Sequence, residues 1–462
     1  MKKNPFKTHW IFFILLGIGL FFRYWNIDGW YPFDYDQEIA AWEVKKILSG
    51  DFTLIGQEMS VGGFYLGPLL HYIYAPFFAL FRLDPRAGVF PLALQMIASS
   101  FLLYKLGQKW FGERVALIAV FLYVLNPQIV SYDRALNPTA FVPLLSLGFL
   151  HGMDRLFDGK RWALWLLGLI LGLTFHINPS TLFFFFVFLV MLFFFRKDIR
   201  AKIRDWMIWG GIIVVIASPL ILFELRNHIL ISNILRLMSE KGEEGMTLLR
   251  FYSMNEISFS LARGFLFPWT FQWLTWIIAV FIITSIVFWW RKTKRRSLIF
   301  LAMFFILTPI LLFTFYNGNV PEYYFAPTIP LYALLLGFLI TKNIRTWPLI
   351  FVICGILAFL HAPKLYGLLA GTHRNLYYKR AAVHAIVEYA AGRSFSISYI
   401  TDLGLKTGYP FLFYIEGNEP RKEIRPPVYT ILDPYYILPP DQKHYDKVFG
   451  GIGVKYSEKN QK

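Results

Sequence analysis

The apolar residues of this chain arrive in blocks of membrane-crossing length, and that feature restricts it to few folds. Thr8 to Trp25, Trp206 to Phe223, Trp273 to Trp290 and Ser297 to Phe315 are examples. Each is close to the ~20 residues that cross ~30 Å of hydrocarbon as a helix. Inside a bilayer the backbone must satisfy its own hydrogen bonds, which a continuous apolar block does by becoming helical. Only 16% of the 462 residues are charged, against about 25% in a soluble domain, too few to cover a water-facing surface. The net charge of +17 does not indicate nucleic acid, because it sits in short connections between apolar blocks and not along an exposed basic stripe. The single cysteine, Cys354, lies inside an apolar block, which excludes an internal disulfide or a cysteine metal site. The start, Met1-Lys2-Lys3 before a long apolar run, reads as an uncleaved first span.

Charge bias orients the spans. The basic connections are 105–114, 155–161, 196–204, 291–296 and 342–345. With Lys2, Lys3 and Lys7 they belong in the cytoplasm if the chain has about eleven spans. These are the first helix and then 88–108, 114–131, 139–156, 162–177, 179–195, 206–223, 270–290, 297–315, 325–341 and 347–361. The stretch Tyr65 to Phe81 is left over. Were it to cross, every later loop would change sides, so it is expected to lie at the interface or re-enter. A first outer loop of 26–88 follows. The expected architecture is a polytopic helical membrane domain, 1–361, with a small extracytoplasmic α/β domain, 362–462. The latter rests on a helical stretch at Tyr378 to Ala391 and β-like runs at Phe395 to Ile400 and Val428 to Leu432.

This parity gathers polar residues on the outer face. Asp34, Asp36 and Glu38 open an amphipathic helix through Leu48. Asp34 with Gln37 resembles a capping box, whereas Asp36 and Glu38 suit either capping or accepting a proton from an incoming hydroxyl. Arg134 and Asn137 sit at the outer end of a span, where an arginine grips phosphate or snorkels. Glu224, Arg226 and His228 put an acid, a guanidinium and an imidazole within two turns, an arrangement suited to binding or to an ordinary polar helix end. His176 ends a span, where a structural hydrogen bond is the commoner role. Tyr323 and Tyr324 suit an aromatic belt as well as a site. No zinc motif and no phosphate-cradling glycine loop occurs.

The order of these segments resembles bacterial GT-C glycosyltransferases of the family 39 type, the protein O-mannosyltransferases and aminoarabinose transferases. The segments are Phe33-Asp34-Tyr35-Asp36-Gln37-Glu38, the run from Gly62-Gly63 to Leu69, Asp133-Arg134-Ala135-Leu136-Asn137-Pro138, Phe223 to His228, and Glu322-Tyr323-Tyr324-Phe325. The resemblance implies transfer of a sugar from a polyprenyl-phosphate donor to a hydroxyl or amine of a lipid, glycan or protein acceptor. It would occur at the outer face of a cell membrane. The family's aspartate base falls on Asp36, with Glu38 beside it. Its second acidic position corresponds to Asn137, which weakens the case for a shared metal; no cofactor is required, though a divalent cation is admitted. Asp34, Arg134, Asn137, His176, Glu224, Arg226, His228, Tyr323 and Tyr324 are the expected substrate contacts. Rival readings are a transporter or flippase of lipid-linked glycans and a surface-glycan polymerase. A transporter would want ionisable groups near mid-membrane, and the span interiors are almost free of them.

Overall fold

The computed structural model describes residues 6–59, 64–229, 231–233, 247–316, 318–344, 346–402, 408–437 and 445–456. Lys2, Lys3, Gly62, Gly63 and Arg345, on which part of the sequence reading rests, lie outside the described residues. So does 234–246 of the Glu224 to Pro268 connection.

The apolar blocks fold as helices. A helix stands at each of the expected spans, from Phe6–Tyr24 to Trp347–Ala370. Seven helical runs among the described residues are long and apolar enough to cross a membrane on length and composition alone, including Ile203–Asn227 and Arg296–Phe315. Ile203–Asn227 exposes Val214, Val215, Leu222 and Leu225, as a helix facing lipid does. The expected 114–131 span is broken into Glu113–Leu125 and Pro127–Tyr132. Pro127 has no N–H to continue the ladder, and Asn126 Oδ1 accepts from the N–H groups of Gln128 and Ile129 at 2.9 and 3.2 Å. The same Asn-Pro device recurs twice. Asn137 accepts from Ala140 N–H (3.3 Å) and Asn178 from Ser180 N–H (2.9 Å), each starting a short 3₁₀ turn. The last long helix runs to Ala370, beyond the expected end at 361, with Pro363 inside it.

Polar contacts sort the connections onto two faces. On one, Lys109 bonds Asp154 and Asp158, Arg295 reaches Asp158 at 2.7 Å, and Arg161 pairs with Asp205 at 2.7 Å. Three of the expected basic connections, 105–114, 155–161 and 291–296, therefore meet. Deeper in the bundle Arg23 and Asp133, both fully buried, pair at 2.6 Å, and Gln95 donates to Asp133 at 2.7 Å. A buried ion pair survives only with such added hydrogen bonds.

The leftover stretch forms a helix of 12 residues, Leu69–Leu80. Its length is roughly 18 Å, well short of the hydrocarbon thickness. It packs against the first-loop helix Tyr35–Leu48, and an antiparallel bridge between Glu58 and Tyr65 precedes it. The tail is a small α/β unit. Its four strands are β1 (Ser396–Thr401), β2 (Val428–Asp433), β3 (Lys447–Phe449) and β4 (Ile452–Lys455), in the order β1-β2-β4-β3. β1 and β2 are parallel; the other pairs are antiparallel. The helix Leu376–Ala390 covers the sheet. The tail is tied to the first loop by Thr372 N–H to Gly29 O (3.1 Å) and Leu376 N–H to Tyr31 O (3.0 Å).

Candidate active site

The first-loop helix separates its three acids by geometry. At 3.6 residues per turn, Asp34 and Glu38 share one face, and Asp36 points to the opposite side. The Asp34 backbone N–H donates to Gln37 Oε1 at 3.1 Å, the expected capping box, and Gln37 Nε2 donates to Leu136 O at 3.3 Å. That second bond ties the helix start to the Arg134–Pro138 turn.

Asp34 and Glu38 face the tail. Lys379 Nζ, almost fully buried, lies 2.6 Å from Asp34 Oδ1 and donates to Phe33 O at 2.9 Å. Glu38 Oε2 accepts from Gly408 N–H (2.8 Å) and Oε1 from Phe411 N–H (2.9 Å). Glu38 thus caps the tail helix Tyr409–Ile415, whose N-terminal N–H groups have no partner in their own helix. Both carboxylate oxygens of Glu38 are engaged in docking the tail.

Asp36 instead lines a polar cavity of about 520 Å³ with Glu58, Tyr132, Asn137, Asn178, Tyr323 and Tyr324. Burial pushes its carboxyl above the usual range; a hydrogen bond with Gln57 pulls it back and the neighbouring Asp34 charge lifts it further. Tyr132 Oη donates to Glu322 Oε1 at 3.5 Å, joining the second wall to the third. Five distant segments therefore converge: the first helix turn, the Gln57–Glu58 strand, the two Asn-Pro turns and the Tyr323-Tyr324 turn. The arrangement places Asp36, a carboxylate of raised basicity, beside Glu58 and among hydroxyl and amide groups, suited to receiving a proton from a bound hydroxyl.

An apolar groove of about 480 Å³ is lined by Leu69, Leu70, Ile73, Phe77, Leu94 and Leu145, among others. A narrow pocket lined by Leu70, His71, Tyr74 and Asp36 shares Leu70 with that groove and Asp36 with the polar cavity.

Of the other expected contacts, His176 lines the narrow pocket with Asp36, whereas Arg134, Glu224, Arg226 and His228 line no part of the polar cavity. His176 is buried, donates from Nε2 to Ile216 O (2.7 Å), and accepts at Nδ1 from Leu69 N–H (3.4 Å). With both ring nitrogens taken it is a clamp. Gly67 is required beneath it, since a Cβ there would lie 2.1 Å from Nδ1. Arg226 and His228 are exposed at the end of Ile203–Asn227 and line no part of the Asp36 cavity; Glu224 is half-buried and accepts from Ile231 N–H at 3.2 Å. Arg134 lies outside this cavity too, over the ring of Trp30. Sequence reasoning missed Gln57 and Glu58, which sit in a loop with no periodicity to read, and did not single out Tyr132 at the end of Pro127–Tyr132; the repeated Asn-Pro pairs were the available signal for Asn178. Among the described residues no cluster of three or more His, Cys, Asp or Glu could hold a metal.

Residues 66–223, about a third of the chain, match the family described as dolichyl-phosphate-mannose-protein mannosyltransferase. No curated protein matches the chain. The structure is similar to that of ArnT from Cupriavidus metallidurans bound to undecaprenyl phosphate, with a TM-score of 0.61 at 12% identity, covering 98% of this chain and 99% of that one. The apo form of the same protein gives 0.58 at 14% identity, covering 98% of each chain. The archaeal oligosaccharyltransferase AglB from Archaeoglobus fulgidus, in complex with an inhibitory peptide and a dolichol-phosphate, gives 0.53 at 12% identity, covering 90% of this chain and 65% of that one. The chain has the fold of the GT-C membrane glycosyltransferases.

Proposed function

We propose that this GT-C-fold membrane protein transfers a sugar from a polyprenyl-phosphate carrier to a hydroxyl or amine, with Asp36 as the general base. The observation that carries the proposal is the position of Asp36. It lines both a polar cavity and a narrow pocket that shares Leu70 with an apolar groove, so a water-borne nucleophile and a lipid-borne sugar could approach the same carboxylate. Polyprenyl chemistry is supported by the undecaprenyl phosphate and dolichol-phosphate bound by ArnT and AglB, which share the fold.

The polyprenyl chain lies along Ile73 and Phe77, burying apolar surface at about 25 cal/mol per Å². Asp36 accepts the acceptor's proton as its oxygen or nitrogen bonds to the anomeric carbon. The bond from that carbon to the phosphate oxygen breaks, and polyprenyl phosphate departs as an anion that needs no proton. One carboxylate therefore suffices, unlike the pair of a glycosidase, and the configuration inverts. Tyr323, Tyr324 and Asn178 offer donors to the developing phosphate charge. Glu38, engaged by two backbone N–H groups, holds the tail and takes no proton. The site faces outward across a cell membrane, the basic connections remaining in the cytoplasm.

The test is transfer of labelled sugar from polyprenyl-phosphate donors by the purified protein and by Asp36→Asn, with and without chelator. Turnover in the wild type, none in the variant and no chelator effect are expected. Full turnover by Asp36→Asn would remove Asp36 from the mechanism. Donor carried across a bilayer unconsumed would make the protein a transporter.

A further inference from the structure

On the other side of Tyr35 from the Asp36 cavity lies a larger one, about 840 Å³, between the membrane domain and the tail. Arg134 and Trp30 line its membrane wall; Arg374, Thr401 and Asp402 line its tail wall.

Arg134 is 4% exposed, and none of its three guanidinium nitrogens has a protein acceptor within hydrogen-bonding distance. Its guanidinium carbon lies 4.1 Å from the centre of the Trp30 ring, which holds the group's plane in place. Burial and the nearby Arg23 charge lower its pKa to about 10, so it remains a cation at neutral pH. The surrounding carboxylates are already engaged. Asp133 is taken by Arg23 and Gln95, Asp34 by Lys379, and Asp402 by Arg374 at 2.7 Å. A buried guanidinium with five donors and no protein acceptor asks for an anion from outside the chain.

The tail wall points the same way independently. β1 and β2 are parallel, and ligands of α/β sheets sit beyond the C-terminal ends of such strands. β1 ends at Thr401, followed by Asp402, and β2 ends at Asp433, which with Asp402 holds Arg374. The β1 end, Thr401 with Asp402, lines the same cavity as Arg134. The apolar groove proposed for the donor shares no lining residue with this cavity.

We infer that this interdomain cavity takes an anionic ligand, a phosphate or carboxylate on Arg134 with hydroxyls bonded by Asp34, Asp402 and Thr372. This anion site does not rest on the proposed function.

The test is calorimetric binding to the full chain in nanodiscs, with glucose 1-phosphate, glucuronate, glucose and undecaprenyl phosphate as probes. The wild type should bind the two anionic sugars and not glucose. Arg134→Gln should weaken the anionic sugars by about tenfold or more, the loss of a bidentate charged contact, and leave undecaprenyl phosphate within about twofold. Ala135→Phe, which fills the cavity with Arg134 intact, should have the same pattern should the glutamine variant not fold. Asp36→Asn should bind all probes as the wild type does, so a failure of the general-base reading leaves this result standing. Equal binding of glucose by the wild type, binding of no anionic sugar, or parallel loss of undecaprenyl phosphate in the variants would overturn the inference, the last by giving the site to the donor.

Discussion

Replacing Glu38 should undock the tail without removing the base. Glu38 makes two charge-assisted bonds, at 2.8 and 2.9 Å, to N–H groups at the start of Tyr409–Ile415. Glu38→Gln keeps one acceptor oxygen but turns an amide donor toward the other N–H, so one bond is lost and two donors oppose each other. A hydrogen bond to a charged group contributes about 1.5–3 kcal/mol, and loss of a helix cap costs about 0.5–2 kcal/mol. About 2 kcal/mol of docking energy is therefore at stake, a factor of roughly 30 in the docking equilibrium. Hydrogen exchange by mass spectrometry reads this directly, because local opening sets the exchange rate. Peptides covering 409–415 should exchange about 30-fold faster in Glu38→Gln, and those covering 89–110 should be unchanged. Transfer should persist at a reduced rate, since Asp36 points away from the tail. A variant with undisturbed exchange and no turnover would refute the reasoning and return Glu38 to the chemistry.

Three further outcomes are expected. Because burial raises the Asp36 carboxyl and the base must be ionised, transfer should fall as pH falls through a limb above the ordinary ~4. Gln57→Leu, which removes the bond that lowers it, should move that limb up; a limb that stays put would dissociate it from Asp36. Gly67→Ala should lower the unfolding midpoint, overpacking costing about 1–3 kcal/mol, because its Cβ meets His176 Nδ1. The double variant with His176→Ala should be no less stable than His176→Ala alone, and additive losses would show that the contact is not the cause. Ile73→Trp, which fills the apolar groove, should raise KM about tenfold for a long polyprenyl donor and leave a short isoprenyl donor within about twofold; equal effects on both would place the chain elsewhere.

The membrane part was legible because its signal is local. A span must satisfy its backbone within about twenty consecutive residues, so each block announced its own helix, and the charge between blocks announced which loops share a face. The structure bears this out in the pairing of Lys109, Asp158 and Arg295. Leu69–Leu80 was legible for the same reason: it is too short, and Tyr65 to Phe81 too interrupted, to cross. The tail's helix and first two strands were visible as periodicity, within a residue or two.

The site was only half legible. Asp34, Asp36 and Glu38 looked equivalent in the sequence, three acids in five residues. Helical phase turned Asp36 one way and its neighbours the other, and the neighbours' partners, Lys379, Gly408 and Phe411, arrive from more than 340 positions along the chain. Arg134, read as a phosphate grip or a snorkelling side chain, lines a cavity between the loop and the tail, a contact no local pattern encodes. By itself the sequence determined the spans, their shared faces and the acidic start of the first-loop helix, because hydrocarbon and helix geometry act over a few turns. Which of the acids faces the cavity, and which arginine is left without a carboxylate, was decided by tertiary packing, because those partners meet only once the chain has folded.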